Sequence, residues 1–310
     1  MNNLDKNRAL MMRAIFLAAL ALLISLNVFT KRSDARASTA LTLDEQVRAA
    51  VSEFKGKVSL FAKNLDTGAT YDFGGDNRVR TASTIKVTVM IEAFARVMEG
   101  KSKWSDEVVL TEAKKVQGSG VLQELSDGLR LTLRDAVNLM MVVSDNTATN
   151  LVLDVLTADG VNARMEQLGL KQTRLLRKVG SGGTSKAGLD PVLKPFGLGV
   201  TTPREMVTIV EKLERGEVVS REASKEMIAL MKREQSHDGI GRTLNGVDMA
   251  TKSGALDRLR SNVGIIYSKR GRIAMAITCD DMPEIDWTDD NAAYLMMSRL
   301  SLILIDGLGK

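Results

Sequence analysis

The stretch TASTIKVTVM, Thr81 to Met90, places Ser83 and Lys86 three residues apart at the head of an apolar run. On a helix that spacing puts both side chains on one face, with the lysine amine in reach of the serine oxygen. An alcohol attacks a carbonyl only once something takes its proton. A lysine does so when desolvation and neighbouring positive charge lower its pKa, and Val87, Val89, Met90 and Ile91 supply apolar surroundings. The same residues also fit a helix cap followed by a solvated lysine. The spacing recurs at Ser52 and Lys55, where AAVSEFKGK ends an early helix and the lysine complements its dipole. The pair alone leaves both readings open.

Two further segments bear on the choice. Ser144, Asp145 and Asn146 fall between the apolar helix DAVNLMMVV and the helix NTATNLVLDVL, so polar side chains gather at a helix junction, where capping is the competing role. In ATKSGAL, Lys252, Ser253, Gly254 and Ala255 close a predicted strand. A cation, a hydroxyl and a glycine that admits close backbone approach make a cradle for an anionic substrate. An edge-strand lysine that blocks unwanted pairing is the plainer alternative. Each segment has an ordinary explanation by itself, but the three in this order are hard to assign to chance.

The elements that must position these residues follow from periodicity. LDEQVRAAVSEF has helical spacing, KVSLFAKN alternates as a strand, and LDTGAT turns the chain into the short strand YDF. From Ser83 to about Arg215 the apolar residues recur three or four apart, which predicts a helical block. VDMATKSG, NVGIIYS and RIAMAITC then read as strands, followed by the helix NAAYLMMSRLSLILIDGL. The expected fold is α+β: an antiparallel five-stranded sheet flanked by terminal helices, with an inserted all-helical domain. The corresponding division is an export signal over 1–37, a sheet domain of 38–80 plus 225–310, and a helical domain of 81–224. The Gly/Pro-rich stretch RKVGSGGTSKAGLDPVLKPFGLGVTTP is long for a compact domain, which points to a functional or mobile loop.

Composition excludes several classes. The 310-residue chain carries a formal charge of +5, but its lysines and arginines are scattered and not interleaved with aromatics, so nucleic-acid binding is not expected. Cys279 is the only cysteine and His237 the only histidine. Internal disulfides and His/Cys metal centres are excluded, and no metal or other cofactor is expected. A Ser-His-Asp triad would depend on His237 alone, in the polar loop REQSHDGIG. Lys6, Arg8 and Arg13 precede the apolar run AIFLAALALLISLNVF, and Ala35-Arg36-Ala37 offers a small-x-small site before Ser38. That layout predicts export, periplasmic or secreted after cleavage near Ala37, with the membrane met only through the signal. The expected state is a monomer.

With ASTIKV, SDNTATNLVL, TTPREM, TKSGA and NVGIIY in place, the chain resembles the serine penicillin-recognising enzymes, and most closely class A β-lactamases, from about Leu43 to the carboxyl terminus. The resemblance implies that Ser83 is the acylated nucleophile, Lys86 its base, and Ser144 a proton relay to the leaving nitrogen. It further implies that Asn146 binds the substrate amide and that Lys252 with Ser253 holds its carboxylate, beside Gly254. The backbone N–H groups of Ser83 and Ala255 would form the oxyanion hole. The implied substrate is a β-lactam or a peptidoglycan-like peptide. The alternatives are a D-alanyl peptidase or penicillin-binding-like hydrolase with slow deacylation, and a non-catalytic binding protein on the same scaffold.

The chain departs from that family at one step. Class A enzymes carry a glutamate after a segment like TRLLRK, with an asparagine four residues on, and the glutamate positions the deacylating water. Here Val179 and Gly183 stand at those positions. Asp190 is the candidate replacement, against a turn-forming role before Pro191. Val263 stands in place of the family arginine that helps hold the substrate carboxylate, with Arg258 or Arg260 as candidate substitutes.

Overall fold

A computed structural model describes residues 11–12, 41–180 and 182–309. The export segment, 1–37, lies outside the described residues save Met11 and Met12. From Leu43 onward the chain forms one compact unit.

The chain begins with α1 (Leu43–Ser52), the hairpin β1 (Lys57–Asn64) and β2 (Thr70–Phe73), and β3 (Val79–Arg80). A 3-10 turn over Ala82–Ile85 leads directly into α2 (Lys86–Met98), and β4 (Glu107–Val109) and β5 (Arg130–Thr132) follow. Next come α3 (Leu133–Val142), α4 (Asn146–Leu156), α5 (Ala158–Gln167), β6 (Arg174–Leu175), β7 (Gly199–Thr201), α6 (Pro203–Arg215) and α7 (Arg221–Met231). The chain closes with β8 (Asp248–Leu256), β9 (Leu259–Ser268), β10 (Gly271–Asp280) and α8 (Ala292–Leu308).

The five-stranded sheet runs β2-β1-β10-β9-β8, and the pairings about β1, β10 and β9 are antiparallel, with β1 joined along its length to β10. Alternate residues of the strands face opposite layers. Val263, Ile265, Ala274 and Ala276 pack with the helical middle, whereas Leu60, Ile273, Met275 and Ile277 pack with α1 and α8. Because both faces are covered, the central strand β10 carries a nearly continuous apolar run.

The helical middle is not purely helical. It also holds the ladder β4-β5 and, with β3, the ladder β3-β7-β6, whose strands are too short to carry a period. A division between residues 224 and 225 would cut through α7.

At the centre lies α2, buried at every position from Lys86 to Ala95. A helix apolar on all sides belongs inside a core. Its interior polar groups are paired: Thr88 donates to Ile85 O at 2.7 Å, and Glu92 meets Arg164 at 2.9 Å. Lys86, the first residue of this helix, is therefore a core residue and not a surface lysine.

Candidate active site

Ser83 lies within the 3-10 turn before α2, and neither that turn nor α2 has a side-chain cap. The residue before it, Ala82, has φ +46°. That conformation is costly for a side chain bearing a Cβ and persists where the surrounding structure enforces it. Here β8 presses on the turn. A Cβ at Gly254 would lie 2.8 Å from Ser83 N and 2.9 Å from Thr81 O, so only glycine allows the strand to approach so closely.

Lys86 has no exposed surface. Its Nζ donates to Ser144 O at 2.6 Å, Ser144 Oγ at 3.2 Å and Asn146 Oδ1 at 3.0 Å. Burial lowers its pKa well below the ordinary lysine value, and the Lys252 charge lowers it further, against the opposing carboxylates of Asp145 and Glu234. The hydrogen bonds of Lys86 thus join the Ser83 helix to the Ser144-Asp145-Asn146 junction. No hydrogen bond connects Lys86 to Ser83 in this arrangement.

At that junction the cap is Asp145, which leaves Ser144 free of capping. Asp145 accepts from Ala148 N at 2.7 Å, Val121 N at 2.7 Å and Leu122 N at 2.9 Å. One buried carboxylate therefore starts α4 and ties down the loop carrying Gly118 and Ser119. Ser144 has φ +54°, and Asn146 spends its amide N–H on Gln117 O at 3.2 Å.

These elements enclose a cavity of about 880 Å³. Ser83, Ser144, Asn146, Ser253, Gly254 and Ala255 line it, so the structure gathers one residue or more from each predicted segment. Lys252 is different: it has no exposed surface, does not line the cavity, and pairs with the buried Glu234. Its ammonium stands directly behind Ser253, whose carbonyl accepts from it at 3.1 Å. Glu234 was not anticipated from sequence. It also accepts from Ser253 N and Ser253 Oγ, both at 2.7 Å, and from Thr251 Oγ1 at 2.9 Å. Nothing in KREQSHDG marks it, because its significance comes from folding against a strand 18 residues away. The aromatic wall of Trp287 and Tyr294 also escaped the sequence reading.

Asp190 is not brought to this cavity. It is exposed, and its carboxylate accepts from Val192 N at 2.9 Å, which closes a turn ahead of the chain's next short helix. Val179 and Gly183 do not line the cavity either. Neither arginine replaces the missing cation: Arg258 is exposed, while Arg260 is buried between the rings of Trp287 and Tyr294, at 4.6 and 5.1 Å. Its guanidinium donates to the carbonyls of Leu256, Leu259 and Asp286. His237 is exposed on its loop.

The arrangement suits acyl transfer. A hydroxyl faces a cavity beside a buried amine of lowered pKa, and a second hydroxyl lies 3.2 Å from that amine. Residues 42–308 match the family described as the Beta-lactamase enzyme family. Beta-lactamase CARB-3 of Pseudomonas aeruginosa is 28% identical over 77% of this chain and 80% of its own length. The β-lactamase of Sphaerobacter thermophilus has a solved structure with a TM-score of 0.75 and 31% identity, covering 86% of this chain and 96% of that one. PBP-A shares the fold with a TM-score of 0.74 at 24% identity, covering 85% and 94%.

Proposed function

Because the chain belongs to the Beta-lactamase enzyme family, we propose that it is a serine hydrolase that opens the β-lactam amide through an acyl-enzyme on Ser83. Ser83 Oγ attacks the ring carbonyl and its proton passes to the neutral amine of Lys86. As the carbon–nitrogen bond breaks, Ser144 Oγ donates a proton to the departing nitrogen and takes one back from Lys86. The N–H groups of Ser83 and Ala255 stabilise the oxyanion. The observation that carries this reading is the desolvated Lys86 bonded to Ser144 and Asn146, both of which line the cavity that Ser83 lines.

Incubation with a penicillin and intact-mass measurement test it. The expected result is a covalent adduct that Ser83→Ala abolishes; an adduct that persists in the variant sinks the reading.

The step that releases the acyl group supports a second reading. Val179 offers no carboxylate, and the acids that line the cavity among the described residues are Glu234 and Asp238. A burst followed by near-zero turnover would identify a penicillin-binding or D-alanyl peptidase type of hydrolase, whereas steady turnover would identify a β-lactamase. Export is also part of the proposal, supported by the basic and apolar pattern before Ala37. Amino-terminal sequencing of the extracytoplasmic protein is expected to begin at Ser38.

A further inference from the structure

We propose that Trp287 is a specificity-determining residue of the Ser83 site: its indole is a preset platform on which a flat aromatic group of the substrate stacks. This inference rests on the acyl-transfer reading above and deepens it by naming the substrate class.

Tryptophan is on average a well-buried residue. Trp287 nevertheless keeps 60% of its surface exposed, and it lines the cavity that Ser83, Ser253 and Ala255 line. One side of its ring is already occupied. The Arg260 guanidinium lies 4.6 Å from the ring centroid, and Arg260 itself has no exposed surface. A cation held against one face of an indole fixes the ring and leaves the opposite face for a second flat group.

The backbone that carries the ring is held on both sides. Asp286 O accepts from the Arg260 guanidinium and from Asn291 Nδ2, the latter at 2.7 Å. The Asp286 carboxylate accepts from Thr288 N at 2.8 Å and Thr288 Oγ1 at 2.7 Å, which closes the chain around Trp287. Asn291 is buried and caps α8 through Ala293 N at 2.9 Å, so the platform is anchored to a helix as well as to the sheet. Arg260 pairs opposite Ala255 in the β8–β9 ladder and donates to Leu256 O at 2.6 Å. The indole is thereby tied to the end of the strand that presents the Ala255 N–H. A group that stacks on a ring already fixed pays little ordering cost beyond its own.

The chemistry of the platform selects its ligand. Leu256 and Tyr294 line the cavity with Trp287, and the Tyr294 ring also meets Arg260, at 5.1 Å. Against such a wall an alkyl group gains burial alone. An aromatic group gains burial together with the attraction of an offset or edge-on ring pair. The preferred substrate therefore carries an aryl group.

The test uses the full chain and two pairs of substrates, each pair differing by one phenyl ring. They are penicillins with a phenylacetyl or an acetyl side chain, and cephalosporins with a benzyl or a methyl group on the six-membered ring. Rapid mixing separates the binding constant from the acylation step. In at least one pair the aryl member is expected to bind the wild-type protein about tenfold more tightly, with the acylation steps within about threefold of each other. Trp287→Ala is expected to erase that preference while the methyl members still bind within about threefold of wild type, as an exposed substitution allows. Trp287→Phe is expected to retain part of it. The pair that responds places the aryl group on the acyl side or on the leaving-group side.

Adducts with no aryl preference in either pair overturn the inference from the wild-type protein alone, whatever becomes of the variants. A preference that survives in folded Trp287→Ala overturns it too, because another surface then supplies the contact. An equal loss on all substrates in that variant does the same, since it is the mark of a purely structural role. If none of the substrates forms an adduct with the wild-type protein, the acyl-transfer reading fails and takes this inference with it.

Discussion

Asn150 grips Val179 by both backbone groups: its Nδ2 donates to Val179 O at 3.0 Å, and Val179 N donates to its Oδ1 at 2.9 Å. An α4 side chain therefore fixes the position where the family's deacylating carboxylate would stand, and fixes it with an aliphatic residue packed on the core. Both bonds are to backbone atoms, so they set where residue 179 stands whatever side chain it carries.

Replacing Asn150 with Ala breaks both bonds at once. The expected cost is about 1 to 3 kcal/mol, from partly buried backbone groups left without partners. A unit of this size should then melt several degrees lower. Differential scanning calorimetry measures this, and an unchanged melting temperature would show that the grip contributes nothing.

Acylation should depend on pH through Lys86. Burial first, and the Lys252 charge second, place its pKa well below 10.5. The amine that accepts the Ser83 proton exists above that lowered pKa and disappears as pH falls through it, so the acylation constant drops on the acid side. Rates by rapid mixing should reach their plateau well below the ordinary lysine value. A rate still climbing near 10.5 would remove Lys86 from the role of base.

The third prediction concerns Gly254. A methyl group there would meet Ser83 N at 2.8 Å, Thr81 O at 2.9 Å and the Ala82 Cβ at 3.0 Å. Two of these are backbone atoms, so the turn that presents the nucleophile has to move. Gly254→Ala is expected to slow acylation by about a hundredfold, the scale of an ångström misplacement of a reacting group. Adduct formation followed by mass against time decides it, and a wild-type rate would mean that the turn and strand separate freely.

What could be read from the sequence tracks the range of each interaction. β1 matches KVSLFAKN residue for residue, and α8 begins after the Asn291 that caps it, because period and capping are local. Ser83, Lys86, Ser144 and Asn146 were singled out by spacing, motif order and family resemblance, and the fold brings them together. The small ladders were missed because two- and three-residue strands have no period. Glu234 and Arg260 acquire their meaning from partners that only folding supplies, and Asp190 was misplaced because a loop carboxylate declares no direction.

The sheet places β1 beside β10, so one of the earliest strands has its neighbour near the carboxyl end. On the ribosome, Ser83 and its helix emerge long before the strand that walls their cavity, and the loop to be closed spans nearly the whole fold. The Ser83 turn therefore acquires Ala255, its glycine neighbour Gly254 and its aromatic wall late in synthesis. A chain that stops before β8 lacks Gly254, Ala255 and the two aromatic residues of the cavity wall, so the nucleophile stands without its site until the last quarter of the sequence has folded onto it.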